Sequence, residues 1–96
     1  MEMVVKPATI RIGKNFTAGN ADRFKERVLK ILDEGKTHLK IDLSNIQKID
    51  AKGIAVLVAT YKSCLASEKK MELVKLSPFM RTLLDITGLQ QYFHHM

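Results

Sequence analysis

Residues 38–53 read HLKIDLSNIQKIDAKG, and how they fold decides the architecture. From His38 to Leu43, the apolar Leu39, Ile41 and Leu43 alternate with Lys40 and Asp42. A period of two belongs to a strand with one face more buried than the other. Ser44 to Asp50 loses that period and reads as a loop carrying two buried-looking isoleucines, Ile46 and Ile49. A helix then begins near Ala51 and runs to about Ser67, with Asp50 placed to cap it. Within it Ile54, Leu57, Val58, Tyr61, Cys64 and Leu65 recur at three- and four-residue spacing and are predicted to be its core stripe.

The same alternation extends in both directions. Upstream, residues 3–5 and 8–12 are short and β-rich, separated by Pro7. Gly13 to Gly19 reads as a loop, with Asn20 at the N-cap of a helix over about Ala21 to Asp33. Ala21, Phe24, Val28, Ile31 and Leu32 give that helix one apolar face, and Gly35 stops it. Downstream, residues 71–75 read as a strand. Ser77-Pro78 opens a third helix, because proline at the first helical position forfeits no hydrogen bond. That helix carries Phe79, Leu83, Leu84 and Ile86 and ends at Gly88. Leu89, Tyr92 and Phe93 are expected to form a closing turn. Strands that alternate with helices favour an α/β fold with helices packed on a sheet whose central strands are parallel.

The totals narrow the function classes. A chain of 96 residues is the size of one domain, holding one modest core rather than a deep enclosed active site. No apolar run approaches the roughly 20 residues of a membrane span, and the first residues lack a signal-peptide pattern, so a cytoplasmic location without membrane insertion is expected. Cys64 is the single cysteine, which excludes an intrachain disulfide, and its place on the apolar stripe makes it a small core residue. The formal charge of +6 raises the question of nucleic acid. The bases are scattered rather than gathered on one element, and no aromatic cluster accompanies them, so direct nucleic-acid binding is not expected.

No catalytic constellation is legible. His38 opens a strand, His94-His95 is a bare pair near the end, and no glycine-rich phosphate loop is complete. No enzyme activity, cofactor or metal is therefore expected. The unusual features gather at the start of the second helix. Lys52 places a positive charge in a first turn, where the helix dipole disfavours it, unless Asp50 or an acidic partner group pairs it. Ala55, Val56 and Ala59 are apolar on a side the core stripe does not need. Gly53 there points to a close backbone approach or to a tight chain path at the helix start.

From Lys40 to Phe93 the ordered set resembles a STAS domain, the fold of the anti-sigma-factor antagonists. The set comprises Asp42-Leu43-Ser44, the loop Ile49-Asp50-Ala51-Lys52-Gly53, the long helix, a strand, and Ser77-Pro78 leading to Leu84-Asp85-Ile86-Thr87-Gly88-Leu89. The upstream elements fit the same order, so the resemblance covers nearly the whole chain, residues 1–96, as one domain. It implies a mixed β-sheet with parallel central strands and about four helices. It also implies regulation by binding an anti-sigma factor or related kinase-like protein. In that family the loop reads Asp-Ser-Ser-Gly and its first serine is phosphorylated. Ala51 stands at that position here, Lys52 at the next, and the hydroxyl switch is absent. The partner surface implied is Asp50, Ala51, Lys52 and Gly53, continuing along Val56, Ala59, Thr60 and Ser63, with the Asn15 to Thr17 loop beside it. STAS-like domains also serve as accessory subunits of lipid-transport ATPase complexes, which is the alternative reading.

Overall fold

The computed structural model describes residues 7–91; the expected strand at residues 3–5, the closing contacts of Tyr92 and Phe93, and the histidine pair lie outside them. Among the described residues the main sheet has three strands, β1 (Ala8–Arg11), β3 (His38–Asp42) and β5 (Lys70–Val74), in the order β1-β3-β5. Both pairings are parallel, with Ile10 opposite Ile41 and Ile41 opposite Leu73. Among the described residues every strand pairing is parallel, so the expected mixed sheet is not seen there. Among the described residues there are three α-helices rather than about four: α1 (Ala21–Asp33), α2 (Ala51–Ala66) and α3 (Pro78–Thr87), followed by a 3-10 turn at Leu89–Gln91.

Strand alternation sorts the sheet into two faces. Ile10, Leu39, Ile41, Met71 and Leu73 are buried and form the inner face. Their neighbours Arg11, His38, Asp42, Lys70 and Glu72 occupy the outer face. Asp42 and Glu72 are buried there and survive burial through partners. Asp42 accepts from the Ser44 N–H at 2.9 Å and hydroxyl at 2.6 Å, and from Arg11 Nε at 3.3 Å. Glu72 Oε1 lies 2.6 Å from His38 Nε2 and 3.1 Å from Lys70 Nζ.

The helices are punctuated as the sequence predicts. Gly35 takes a φ of 94° after α1, and Gly88 a φ of 72° after α3. The Ser77 hydroxyl caps α3 by accepting from the Met80 N–H at 3.1 Å and donates to the Ile46 carbonyl at 2.8 Å. It thereby fixes α3 to the loop that follows β3. The buried side of α3 carries Met80 and Leu84, whereas Phe79 and Ile86 are exposed.

Two short strands occupy segments expected to be loops. β2 (Asn15–Phe16) and β4 (Lys48–Ile49) pair in parallel, Asn15 opposite Lys48 and Phe16 opposite Ile49. The N–H groups of Gln47 and Lys48 both donate to the Lys14 carbonyl, at 2.8 and 3.1 Å. Two residues are too few to show a period, so this pairing leaves no sequence signature.

Candidate partner-binding site

The short β2–β4 pairing brings the segment before α1 against the segment before α2, and Asp50 joins them. Asp50 is the N-cap of α2, extended at φ −107° and ψ −178°. Its Oδ1 accepts from the Gly53 N–H at 2.8 Å, the bond expected of an N-cap. Its Oδ2 accepts from the Ala18 N–H at 3.0 Å, a contact across 32 positions of sequence. These two N–H donors, Gly53 first, favour the ionised carboxylate and hold the Asp50 carboxyl below its ordinary value.

Gly53 explains how α2 comes so close. A Cβ built there would lie 2.2 Å from the Phe16 carbonyl oxygen and 2.9 Å from Ile49 Cγ1. The first turn of α2 therefore rests directly on the backbone of β2. Phe16 is buried, with its ring set edge-on to Phe24 of α1 at 5.2 Å between centroids.

Asn20 is the N-cap of α1, but its side chain makes no capping bond. It ties the preceding loop instead. Its Oδ1 accepts from the Thr17 N–H at 2.9 Å and its Nδ2 donates to the Asn15 carbonyl at 2.6 Å. Asn15 and Thr17 are thus held beside the start of α2, Asn15 exposed and Thr17 half-buried. Within the chain the Lys52 ammonium pairs with Asp22 rather than with Asp50. Its Nζ lies 3.6 Å from Asp22 Oδ1 in the first turn of α1, both side chains exposed. The like-signed helix end is relieved by an acid from a neighbouring helix, which sequence spacing could not reveal.

Along α2 the expected faces require a correction. The buried residues are Gly53, Val56, Leu57, Thr60, Tyr61 and Cys64. Val56 and Thr60, expected on the partner face, are 7% and 5% exposed and belong to the core. Leu65, expected inside, is 53% exposed, and Ile54 and Val58 are only partly buried. The true stripe passes through Gly53, where the absent side chain sets the line of closest approach, and turns the helix toward α1. Thr60 tolerates burial because its hydroxyl donates to the Val56 carbonyl at 2.7 Å. The exposed residues from the start of α2 to Ser63 are Ala51, Lys52, Ala55, Ala59, Lys62 and Ser63. Ser63 also borders a small cavity against Val28, Leu29 and Leu32 of α1.

Asp50, Ala51, Lys52, Asn15 and Thr17 therefore lie together around one helix start, with Ala59 and Ser63 further along the exposed side. Among the described residues no group of three or more histidine, cysteine or acidic side chains is arranged to hold a metal ion. Three exposed lysines, Lys14, Lys48 and Lys52, lie on the segments that this arrangement joins. Residues 1–96 match the family model of the STAS domain. The chain belongs to the STAS family. An anti-sigma-B factor antagonist from Staphylococcus epidermidis is 24% identical over 85 residues, covering 88% of this chain and 79% of that protein. The antagonist of the same name from Staphylococcus aureus is 21% identical over the same shares. Among solved structures, a sulfate transporter family protein from Wolinella succinogenes superposes with a TM-score of 0.78 at 25% identity, covering 93% of this chain and 74% of that one. The anti-sigma factor antagonist SpoIIAA in its unphosphorylated form gives 0.75 at 15% identity, covering 99% and 84%, a likeness of fold. The STAS fold accounts for the α/β order, and no helix among the described residues is long and apolar enough to cross a membrane.

Proposed function

We propose that this STAS domain is a regulatory module that binds a kinase-type anti-sigma factor through the start of α2, without a phosphorylation switch at Ala51. The observation that carries the reading is the double role of the Asp50 carboxylate. It caps α2 and grips Ala18 at once, so that two loops and a helix start form one fixed surface around an exposed alanine. Pre-organisation of this kind lowers the ordering cost of association. Ala51 offers no hydroxyl, so phosphorylation cannot occur at that position, and control falls to abundance or to the partner. The partner patch comprises Asp50, Ala51, Lys52, the backbone at Gly53, Ala59, Ser63, Asn15 and Thr17. Lys14 and Lys48 at its edge favour a partner with an acidic rim.

The test is a binding titration of the chain against a kinase-type anti-sigma factor of the same cell, with and without ATP. Equal affinity in both conditions, and no phosphate in the peptide Lys48 to Lys62, support the reading. Ala51→Glu should abolish binding while leaving the melting temperature nearly unchanged, because that side chain is exposed. Phosphate transferred to Thr60, or unimpaired binding by Ala51→Glu, sinks the proposal.

A further inference from the structure

On α3, Phe79, Leu83 and Ile86 follow one another at spacings of four and three residues and so share one side of the helix. Phe79 and Ile86 are exposed and Leu83 is half-buried, while Met80 and Leu84 turn to the core. The other large apolar side chains exposed among the described residues, Leu29 and Leu65, stand on two different helices. Single exposed apolar residues are ordinary, but three in line on a ten-residue helix make a contiguous stripe. The charged residues of α3 are Arg81 and Asp85 alone, so this helix is neutral and the +6 of the chain lies elsewhere. Neither charge has an ion-pair partner among the described residues. With the base ahead of the acid, their four-residue spacing is also the less favourable order within a helix.

We propose that this stripe is a self-association surface, on which two copies of the chain pair their α3 helices antiparallel about a two-fold axis beside Leu83. In that arrangement Phe79 of each copy lies against Ile86 of the other, and the two Leu83 side chains meet at the axis. Arg81 of each copy stands across from Asp85 of the other, so both charges gain partners, and the opposed helix ends attract. A parallel pair would set like charges side by side instead. Charge also selects the occupant. Chains of +6 repel one another over most of their surface, and the neutral α3 is where two copies approach most easily. An acidic partner drawn to the basic remainder gains nothing from a neutral apolar stripe. The helix is about 15 Å long, so the contact is smaller than the roughly 800 Å² per partner of a stable complex, and a weak dimer with a Kd on the order of 0.1 mM is expected. None of the stripe's residues belongs to the patch around Ala51, so the inference is independent of the partner reading.

The experiment is sedimentation equilibrium of the full chain from about 10 μM to about 1 mM, where a monomer–dimer equilibrium is expected. Ile86→Glu should raise the dissociation constant by about tenfold or more without lowering the melting temperature, since that side chain is exposed. Leu65→Glu changes an exposed apolar residue of α2 instead and should leave the dissociation constant nearly unchanged. Arg81→Glu and Asp85→Lys should each weaken self-association, because each sets like charges across the axis. An equimolar mixture of these two variants should restore it, because every pair across the axis is then opposite in sign. A merely structural role for the two residues would not produce that rescue. A chain that stays monomeric throughout, a dimer indifferent to Ile86→Glu, or no rescue on mixing would overturn the proposal. NMR contacts between the Ile86 methyls and the Phe93 ring that persist in dilute solution would also overturn it, by placing the chain's own end on the stripe. Loss of anti-sigma-factor capture by Ile86→Glu would do the same, by placing that partner there.

Discussion

A missing Cβ at Gly53 does more for this surface than any side chain on it. With the Phe16 carbonyl 2.2 Å from where a methyl would stand, Gly53→Ala cannot be absorbed by a rotamer change, because the obstructing atom is backbone. Overpacking of this kind costs about 1–3 kcal/mol, and urea unfolding should show at least that loss. The change should also pull Ala18 away from Asp50, so the Ala18 amide should exchange faster with solvent. Glu68 predicts the opposite sign. It closes α2 in the left-handed region at φ 58°, where its N–H reaches the Leu65 carbonyl at 3.1 Å and that of Lys69 reaches Cys64 at 2.7 Å. Glycine usually holds this position. Glu68→Gly removes a left-handed strain of about 1–2 kcal/mol and adds chain entropy to the unfolded state, so a net gain of up to about 1 kcal/mol is expected. Denaturant midpoints measure both changes.

At the scale of elements, α2 teaches where a sequence can be read and where it cannot. Its existence, its Asp50 cap and the burial of Leu57, Tyr61 and Cys64 were legible, because periodicity reports an amphipathic helix and the cap precedes it. Its rotation was not. Ile54 and Leu65 are larger and more apolar than Gly53 and Thr60, yet the helix turns the smaller pair inward, because closeness to β2 and α1 decides the meridian. The same limit applies to α3, where Met80 is buried and Ile86 is 78% exposed. Contacts across 30 or so residues, such as Asp50 to Ala18 or Ser77 to Ile46, leave no local pattern at all. The candidate site was therefore legible as a helix start and illegible as a face. Paired substitutions check the corrected face. Val56→Glu places a charge in the core and should unfold the chain at ordinary temperature or lower its melting point steeply. Ala59→Glu should shift stability by less than about 0.5 kcal/mol while weakening capture of the proposed partner. Ser77→Ala removes the cap and strands the buried Ile46 carbonyl, for an expected loss of about 1–3 kcal/mol.

Across the whole molecule, three carboxylates tie distant segments together, and acid should release them together. Asp42 is held below its ordinary value first by the Ser44 hydroxyl and further by Arg11, which joins β1 to β3. Glu72 is held down first by Lys70 and also by His38, which joins β3 to β5. Asp50, held down by the Gly53 and Ala18 N–H groups, joins α2 to the loop before α1. A group whose value is lower in the folded than in the unfolded chain contributes stability that is fully present above the unfolded value. That contribution disappears as pH falls through the folded one. The unfolded values here are 3.8 for the two aspartates and 4.5 for Glu72, so the loss should begin near the glutamate value and deepen below the aspartate one. Protonation also raises the positive charge of a chain that is already at +6, which adds self-repulsion in the same direction. Unfolding curves from neutral pH into this acid range should therefore be level at first and then fall. Asp42→Asn, Asp50→Asn and Glu72→Gln should each be less stable than the parent at neutral pH and converge on it in acid. For Asp50 the amide can serve only one of the two N–H donors as an acceptor and turns its own NH2 toward the other, so the grip on Ala18 or the cap must go. A gap between parent and variant that stayed constant down to the lowest pH would mean that shape, rather than ionisation, makes these three joints.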